Sequence, residues 1–441
     1  MCAIAAATAL AAVVGPVAAV GAATSKASPA PGAIDHVIVV MQSGHSFDSY
    51  FGTRPKVDGI RAKVCERLAV SATGCQPPYH LSLEQARAGL SDSSSATKRA
   101  IDGGKMDGFV TAQSNGSVAM GYLNGGDLPY YWSLASNFTL FDHFFAATQA
   151  GVLPNRLVAV AGQTAGINSN SVPATGINIP TIFDRLDQAH LSWKDYVQGY
   201  KGVASTPTAG QQTLTPLLAM PSVTGTPARA DRIVSTSQYY VDLTKGQLPA
   251  VSFVSGSIDS ERSPQNPVQG EAFVRSLINT LMQSSAWHHT ALLLTYDDSG
   301  GWYDHAVPPT VAGTQLGLRV PAILISPYAR AGYVDHAQLD TASIPAFIEN
   351  VFRLPPLTSP YATTGSILSA VNLHQQPIAP TISLAGAVAP VVPRPAVHTI
   401  YLLYLAAFIG AGVLVALAFV RSRRDALASP SEPVEPTELA A

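Results

Sequence analysis

The sequence predicts an α/β fold in which helices flank a mostly parallel β-sheet. Four short segments are apolar and β-branched, as buried strands are: residues 34–41, 248–254, 290–296 and 320–326. Residues 270–284 carry an apolar stripe of helical period, and residues 342–352 carry a similar one. The first of these helices joins the strand at 248–254 to the strand at 290–296, and such a strand–helix–strand unit has parallel strands.

The composition excludes some classes of function. The chain has 441 residues, enough for a substantial core, and 12% of them are charged, about half of the ~25% usual in soluble domains. Lys and Arg number 26 against 28 Asp and Glu, so there is no basic excess to neutralise a nucleic-acid backbone. Nucleic acid is therefore not expected as a partner.

The first 26 residues are signal-like. Residues 3–24 carry no charge, are rich in Ala and Val, and end in small residues, which is the pattern of the apolar and cleavage regions of a secretory signal. The basic start of such a signal is missing, because Lys26 is the first charged residue. A buried helix is the alternative, but Gly15 and Pro16 argue against it. We expect export.

The C-terminal end predicts a membrane anchor. Residues 400–420 are uncharged and are followed at once by Arg421, Arg423 and Arg424, as expected where a span meets the cytoplasm. We expect a Pro-rich stalk at 377–398, a transmembrane helix at 399–420 and a cytoplasmic tail at 421–441. The main domain, residues 34–376, would then be extracytoplasmic, on a protein that spans the cell membrane once.

Two of the three cysteines, Cys65 and Cys75, lie in the expected exterior portion. In an oxidising compartment they would form a disulfide that closes a short loop. Two free thiols are the alternative, and the spacing alone does not decide between them.

The strongest chemical motif follows the strand at 290–296. Asp297 and Asp298 come directly after it, at the edge of an open α/β sheet where ligands bind. Adjacent carboxylates repel each other unless a cation lies between them, so a divalent metal ion is a natural partner. The alternative is that the pair binds backbone amides of the turn at 299–301. Asp304 and His305 follow in the same loop.

The motifs of this chain, in their order, resemble a known family. The resemblance is carried by IDHVIVVMQSGHSFDSYFGTRP from residue 34, GGKMDGFV at 103–110, GDLPYYWSLASNFTLFDHFF, PNR at 154–156, YDDSGGWYDHAVPP, and the closing segments to residue 358. The chain thereby resembles the phosphoesterase family that contains bacterial phospholipases C and a class of acid phosphatases, with an alkaline-phosphatase-like fold. The resemblance implies hydrolysis of a phosphate ester, including that of a lipid headgroup, at a site supported by a divalent metal ion of unknown identity.

Several positions depart from the family pattern. Ser43, Gly44 and His45 stand where the family has Glu-Asn-Arg, and the run at 151–156 lacks the hydroxyl of the expected nucleophile. Two histidines of the pattern are replaced, one by Arg262 and one by Thr341, and a third aligns with Asp92. Loss of an activated nucleophile lowers the rate by several orders of magnitude.

From these matches and departures we predict a set of site residues. The predicted catalytic residues are His305 and Asn155, the metal ligands are Asp297, Asp298 and Ser43, and the ligand-binding residues are Arg262 and His45. We expect a membrane-anchored, extracytoplasmic member of the phosphoesterase family whose hydrolysis of phosphate esters is impaired or lost. The alternatives are an active hydrolase with a rearranged site that uses Ser43, His45 or Asp92, a pseudoenzyme that binds a surface ligand or partner, and a purely structural module.

Overall fold

The computed structural model describes residues 33–68, 73–257, 259–357, 365–381 and 397–428. The chain divides into two compact units, residues 1–383 and residues 384–441. The expected signal-like segment at 1–26, most of the expected stalk and the end of the expected tail lie outside the described residues.

The first unit is built on an eight-stranded sheet. In chain order its strands are β1 (His36–Gln42), β2 (Thr139–Phe141), β3 (Trp193–Val197), β4 (Ile233–Ser235), β5 (Val251–Ser255), β6 (Thr290–Tyr296), β7 (Ala322–Ile325) and β8 (Tyr333–Asp335). Their order across the sheet is β8-β2-β7-β6-β1-β5-β3-β4. Strand β7 runs antiparallel to both of its neighbours, and the other pairings are parallel. The mostly parallel sheet predicted from the sequence is therefore confirmed.

Four further pairs of two-residue strands lie outside this sheet: Glu66–Arg67 with Cys75–Gln76, Tyr79–His80 with Gly121–Tyr122, Phe144–Phe145 with Leu339–Asp340, and Thr310–Val311 with Thr314–Gln315. The disulfide between Cys65 and Cys75 closes the first of these pairs, with the two Cα atoms 5.3 Å apart. Of the two alternatives that the sequence left open for these cysteines, the structure has the disulfide.

Helices cover the sheet. The longer ones are α1 (Ser94–Ile101), α2 (Pro129–Asn137), α3 (Val152–Ala161), α4 (Ile182–Gln188), α5 (Thr236–Lys245), α6 (Pro267–Gln283) and α7 (Ser343–Phe352). Helices of four to six residues are Phe47–Phe51, Phe109–Ala112, Gly116–Ala119, Ala209–Leu214, Pro221–Thr224 and Pro227–Ala230. Single 3-10 turns occur at Gln85–Arg87, Asp102–Gly104, Pro216–Ala219, Ser285–His289 and Ile367–Ala370.

Helix α6 is the crossover predicted from the sequence. It begins with Pro267 after the N-cap Asn266, whose side chain accepts a hydrogen bond from the amide of Val268 at 2.9 Å. Its buried stripe includes Leu277 and Leu281, and burial of each such side chain contributes about 1.5–3 kcal/mol. The helix connects β5 to β6. Both strands pair parallel with β1, and β1 lies between them.

This topology places three chain segments at one edge of the sheet. Strands β6, β1 and β5 are adjacent and parallel, so their carboxyl ends point the same way. Asp297 and Asp298 follow β6, Ser43 follows β1, and the loop that leads to Arg262 follows β5. Side chains from distant parts of the sequence therefore meet where open α/β sheets bind ligands.

The described part of the second unit is one helix, α8 (Val397–Ala428). It covers the segment at 399–420 that the sequence predicts as a membrane span, and it continues into the segment predicted as a cytoplasmic tail. Among the described residues, however, no helix combines the length and the apolar character needed to cross a bilayer. The predicted span is therefore not supported by the structure.

Candidate active site

Asp297 is the centre of the site, and both of its carboxylate oxygens are occupied. The Ser43 hydroxyl donates a hydrogen bond to Oδ1 at 2.8 Å, and Arg156 Nε donates to Oδ2 at 2.7 Å. All three side chains are buried. The negative charge of Asp297 is thus balanced by a fixed positive charge within the protein.

Arg156 is held in place by the ends of the strands. Its Nη1 donates to Ser255 Oγ and to the carbonyl of Leu214, both at 2.8 Å. Its Nη2 donates to the carbonyl of Met41 at 2.9 Å. A buried guanidinium is stable only when it is paired and its donors are satisfied, and here both conditions are met.

Asp298 lies in a different environment. Its Oδ1 accepts a hydrogen bond from the amide of Gly300 at 2.9 Å, whereas its buried Oδ2 has no hydrogen-bond partner among the described residues. Burial, and then the charges of Asp92 and Asp297, raise the pKa of Asp298 well above its ordinary value, against the opposing effect of Arg262 and the Gly300 amide.

Arg262 is the accessible cation at this edge. Its Nη2 forms an ion pair with Asp92, and its side chain is 34% exposed, compared with 3% for Arg156. Asp92 and Asp298 line a small cavity together with Thr148, Ser299 and neighbouring residues. Its volume of about 10 Å³ is close to the room needed for one water molecule. The hydroxyls on its wall belong to Thr97, Thr148 and Ser299.

Asn155, predicted as catalytic, holds a loop. Its Oδ1 accepts a hydrogen bond from the amide of Thr148 at 2.8 Å, and its Nδ2 donates to the carbonyl of Gly151 at 2.8 Å. Gly151, with a φ of 82°, precedes Val152, the buried apolar residue that begins α3. The family's nucleophile would lie in this turn, and the turn presents no hydroxyl.

His45, predicted as ligand-binding, lies in the core. Its ring stacks on Tyr50 at a centroid distance of 4.3 Å and on Trp302 at 5.4 Å. Burial lowers the pKa of His45 to about 3, against a hydrogen bond to the backbone of Glu261. His45 is therefore a neutral, packed side chain, and it is not among the residues that line the cavity at Asp298.

His305, the other predicted catalytic residue, belongs to a second charged cluster. Its Nδ1 lies 2.7 Å from Asp48 Oδ2, and its Nε2 lies 3.0 Å from Asp58 Oδ1. Arg319 completes the cluster by donating to Asp304 at 2.8 Å and to Asp48 at 3.0 Å. Burial lowers the pKa of His305, but the hydrogen bond and charge of Asp48 and the charge of Asp304 outweigh it and hold the pKa above its ordinary value.

Glu261, which the sequence-based prediction gave no role, is buried beside the site. Its carboxylate accepts hydrogen bonds from Tyr50 at 2.6 Å and from Tyr296 at 2.7 Å. Tyr131 and Gln42 also donate to it. Burial raises the pKa of Glu261, although all four donors oppose the shift. These four hydrogen bonds hold the loop that carries Arg262 in place.

The residues predicted to bind a metal ion do not fit a divalent cation in this arrangement. Ser43 and Arg156 already occupy the oxygens of Asp297, which leaves one partner-free oxygen on Asp298 beside the positive charge of Arg262. Hard cations need about six oxygen ligands. Two other groups of side chains in the described part of the chain are close enough to hold a metal ion: Asp48 with Asp304 and His305, and Asp142 with His143 and His336.

The structure thus unites Ser43, Asp297 and Asp298, with Arg262 beside them, and places His45, Asn155 and His305 in other environments. The residues that sequence reasoning missed are mainly Arg156 and Arg319. Both lie in segments that carried the resemblance, Arg156 in PNR and Arg319 in the closing segments. The available signal was a charged residue within an apolar run, because a buried Arg needs a buried carboxylate as its partner.

The fold and this edge define an α/β protein in which two adjacent buried aspartates lie at the carboxyl ends of the strands of a mostly parallel sheet. A family model described as "Phosphoesterase family" matches residues 34–355, and the chain belongs to that family. Over 419 residues it is 27% identical to Phospholipase C B of Mycobacterium tuberculosis, covering 80% of each chain. It is 29% identical to Non-specific phospholipase C1 of Arabidopsis thaliana, covering 78% of this chain and 72% of the relative.

Solved structures are more distant. A protein in the alkaline phosphatase superfamily from Vibrio parahaemolyticus is 14% identical, with a TM-score of 0.40 over 78% of this chain and 71% of that one. The family predicted from the sequence is confirmed by the family model.

Proposed function

We propose that this protein binds phosphate esters, such as a phospholipid headgroup, at the edge that carries Asp298 and Arg262, and that its hydrolytic activity is impaired or lost. The observation that carries this proposal is the occupation of Asp297 by Arg156 and Ser43. Asp297, one of the two adjacent aspartates that follow β6, is the partner of the buried guanidinium of Arg156. The charge that a metal ion would supply at this carboxylate is already supplied by the protein.

The absence of a hydroxyl from residues 151–156 points the same way. Hydrolysis through a covalent intermediate needs a hydroxyl placed to attack phosphorus, and Val152 begins α3 in that turn. Ser43 has a hydroxyl, but it is fully buried and donates a hydrogen bond to Asp297. Loss of a positioned nucleophile lowers the rate by several orders of magnitude.

Arg262 is the residue best placed to contact a phosphate group. A guanidinium binds phosphate oxygens through two parallel N–H···O hydrogen bonds. The side chain of Arg262 is 34% exposed and so can be reached by a ligand. At this edge Arg156 is paired with Asp297, and Arg262 is paired with Asp92.

An active hydrolase is the second candidate function. It is supported by similarity to phospholipases C along most of the chain and by the retained pair Asp297 and Asp298. In this case the attacking hydroxyl would come from Thr148 or Ser299, which line the cavity beside Asp298.

One experiment separates these candidates. The full chain, purified in detergent, is assayed on an aryl phosphate and on phosphatidylcholine with Mg²⁺, Ca²⁺, Mn²⁺ and Zn²⁺, and binding of a short-chain phosphatidylcholine is measured in parallel. The proposal expects no turnover above that of Asp298→Asn, and binding that Arg262→Ala weakens while Arg67→Ala, which changes an exposed arginine, does not. Metal-dependent turnover that Asp298→Asn abolishes would establish the hydrolase instead.

We also propose that the main domain is extracytoplasmic and attached to the cell membrane. The support is the signal-like composition of residues 1–26, the apolar run at 400–420 with the arginines that follow it, and a disulfide that suits an oxidising compartment. In whole cells, added protease is expected to digest the main domain, and alkaline carbonate is expected to leave the chain in the membrane fraction. Recovery in the soluble cytoplasmic fraction would contradict both parts.

A further inference from the structure

A cluster of one aspartate and two histidines lies at the edge of the sheet formed by β2 and β8. Asp142 and His143 follow β2, and His336 follows β8. These strands are parallel, with Phe141 paired to Asp335, so the residues just beyond their ends necessarily come together. The sequence-based prediction gave this cluster no role.

The donor atoms are already close to the spacing of a metal site. His336 Nδ1 lies 2.9 Å from each carboxylate oxygen of Asp142, and His143 Nδ1 lies 3.0 Å from Oδ1. One ligand atom from each residue can be chosen so that all three lie within 4.8 Å of one another. Two ligands of one tetrahedral zinc ion are about 3.3 Å apart, given bonds of about 2.0–2.1 Å. Small side-chain rotations would therefore admit the ion.

Asp58 orients one of the histidines. Its Oδ2 lies 3.3 Å from His143 Nε2, so this ring nitrogen has a carboxylate to which it can donate its proton. Without a metal ion, Nδ1 lies at hydrogen-bond distance from Asp142 and can donate to its carboxylate; with an ion bound, Nε2 would keep its proton and the lone pair of Nδ1 would ligate the ion. Metal-binding histidines commonly donate their second ring nitrogen to a carboxylate in this way. The backbone amide of Asp58 also donates to Asp142 Oδ2 at 2.8 Å, which fixes the loop against the cluster.

The charge balance distinguishes this cluster from the other two carboxylate groups. Each of the other two groups contains a buried arginine: Arg156 pairs with Asp297, and Arg319 pairs with both Asp48 and Asp304. In the described part of the chain, the ion pairs of the Asp142 carboxylate involve only His143 and His336. The cluster thus has a buried carboxylate whose positive partner must be a proton on a histidine or a bound cation.

The two histidines of the cluster are accessible to solvent. The side chain of Asp142 is fully buried, whereas that of His143 is 29% exposed and that of His336 is 61% exposed. An ion can reach the cluster from water, and a water molecule can occupy the fourth position of a tetrahedral site.

We propose that Asp142, His143 and His336 bind a divalent transition-metal ion of the zinc class, separately from the edge that carries Asp297. Two imidazole ligands favour Zn²⁺, Co²⁺, Ni²⁺ or Cu²⁺ over Mg²⁺ and Ca²⁺, which prefer oxygen. Because Asp58 contacts His143, the bound ion would stabilise the position of the Asp58 loop against the ends of β2 and β8.

The test uses the full chain in detergent after chelator treatment. Titration with Co²⁺ is expected to give the visible absorption of a site with nitrogen ligands at one ion per chain, and Zn²⁺ is expected to displace it. His143→Ala and His336→Ala should abolish this signal, and Asp58→Asn should weaken binding about 10- to 100-fold. Two matched controls, His374→Ala at another exposed histidine and Asp298→Asn at the strand edge, should bind like the unaltered protein.

X-ray absorption at the zinc edge gives a measurement that does not depend on any variant. Two imidazole ligands in the zinc-loaded protein support the proposal, and an all-oxygen shell overturns it. Co²⁺ binding that persists unchanged in His336→Ala, or an affinity for Zn²⁺ no higher than that for Mg²⁺, would also overturn it.

Discussion

Gly44 packs closely against Arg262 at the edge of the sheet. A Cβ atom on Gly44 would lie 3.2 Å from both Cα and Cγ of Arg262, and Gly44 has a φ of +78°. The family pattern has asparagine at the first position and histidine at the second. The two replacements therefore meet in space, and the glycine leaves room for the longer arginine.

Gly44→Asn is expected to destabilise the protein by about 1–3 kcal/mol, because it adds crowding against Arg262 to the strain of a positive φ. The measurement is the free energy of unfolding in urea. Gly103→Asn is the matched control, since Gly103 has a φ of +63° and no atom within 4 Å of its Cβ position. Equal losses for the two variants would show that Arg262 does not restrict residue 44.

The ion pair of Arg156 and Asp297 gives a second prediction. Arg156→Met leaves a buried carboxylate without its partner, and breaking such a pair lowers the free energy of unfolding by about 3–5 kcal/mol. The double variant Arg156→Met with Asp297→Asn should recover part of this loss, because no buried charge then remains uncompensated. A double-mutant cycle in urea measures the coupling.

Lys105→Met is the control for that cycle. Lys105 pairs with Asp102 at 2.7 Å, but both side chains are at least half exposed, and exposed ion pairs contribute little to stability because solvent screens them. If Arg156→Met were no more harmful than Lys105→Met, the buried pair could not be the element that fixes this edge.

The parts of the fold that were predictable have strong local signals. Strand β6 has the bounds that the sequence predicts, because seven consecutive residues are apolar or β-branched and all are buried. Strand β3, Trp193–Val197, was missed because Lys194 and Asp195 interrupt its apolar pattern. Lys194 is compensated by an ion pair with Asp242, 48 residues further along the chain.

The candidate site, like the fold, was predictable only where its signal is local in the sequence. The place of Asp297 and Asp298 at the end of a strand was readable locally, since it depends on adjacent residues. The partner of Asp297 was not, because Arg156 lies 141 residues away in sequence and reaches the edge only through the packing of α3. His45 resembled a ligand in sequence, and only the stacked rings of Tyr50 and Trp302 show that it is part of the core.

The disulfide between Cys65 and Cys75 gives a third prediction. Closing a loop of 10 residues restricts the unfolded chain and stabilises the fold by about 3 kcal/mol in the chain-entropy treatment. Replacement of both cysteines by serine should lower the free energy of unfolding by about that amount. Reduction of the unaltered protein should give the same loss, whereas the double variant should not respond to the reductant. If the reductant also lowered the free energy of unfolding of the double variant, its effect would not come from this disulfide.

Glu66 gives a prediction about pH. Its side chain is buried, and its Oε2 accepts a hydrogen bond from the amide of Val110 at 3.0 Å. Burial, against the amides of Val110 and Phe109, raises the pKa of Glu66 to about 7 from 4.5. The folded protein therefore holds this proton more tightly than the unfolded chain does. Glu66 accordingly makes the free energy of unfolding fall as the pH rises from about 4.5 to about 7, with no further change above that range.

Glu66→Gln removes this titration and should therefore become more stable relative to the unaltered protein between pH 5 and pH 8. The difference in melting temperature at the two pH values is the measurement. Glu84→Gln, which changes an exposed glutamate with 86% of its side chain accessible, should give the same difference at both pH values. A constant difference for Glu66→Gln would mean that this carboxyl group ionises in the folded protein as readily as in the unfolded chain, so that its burial has no effect on its proton.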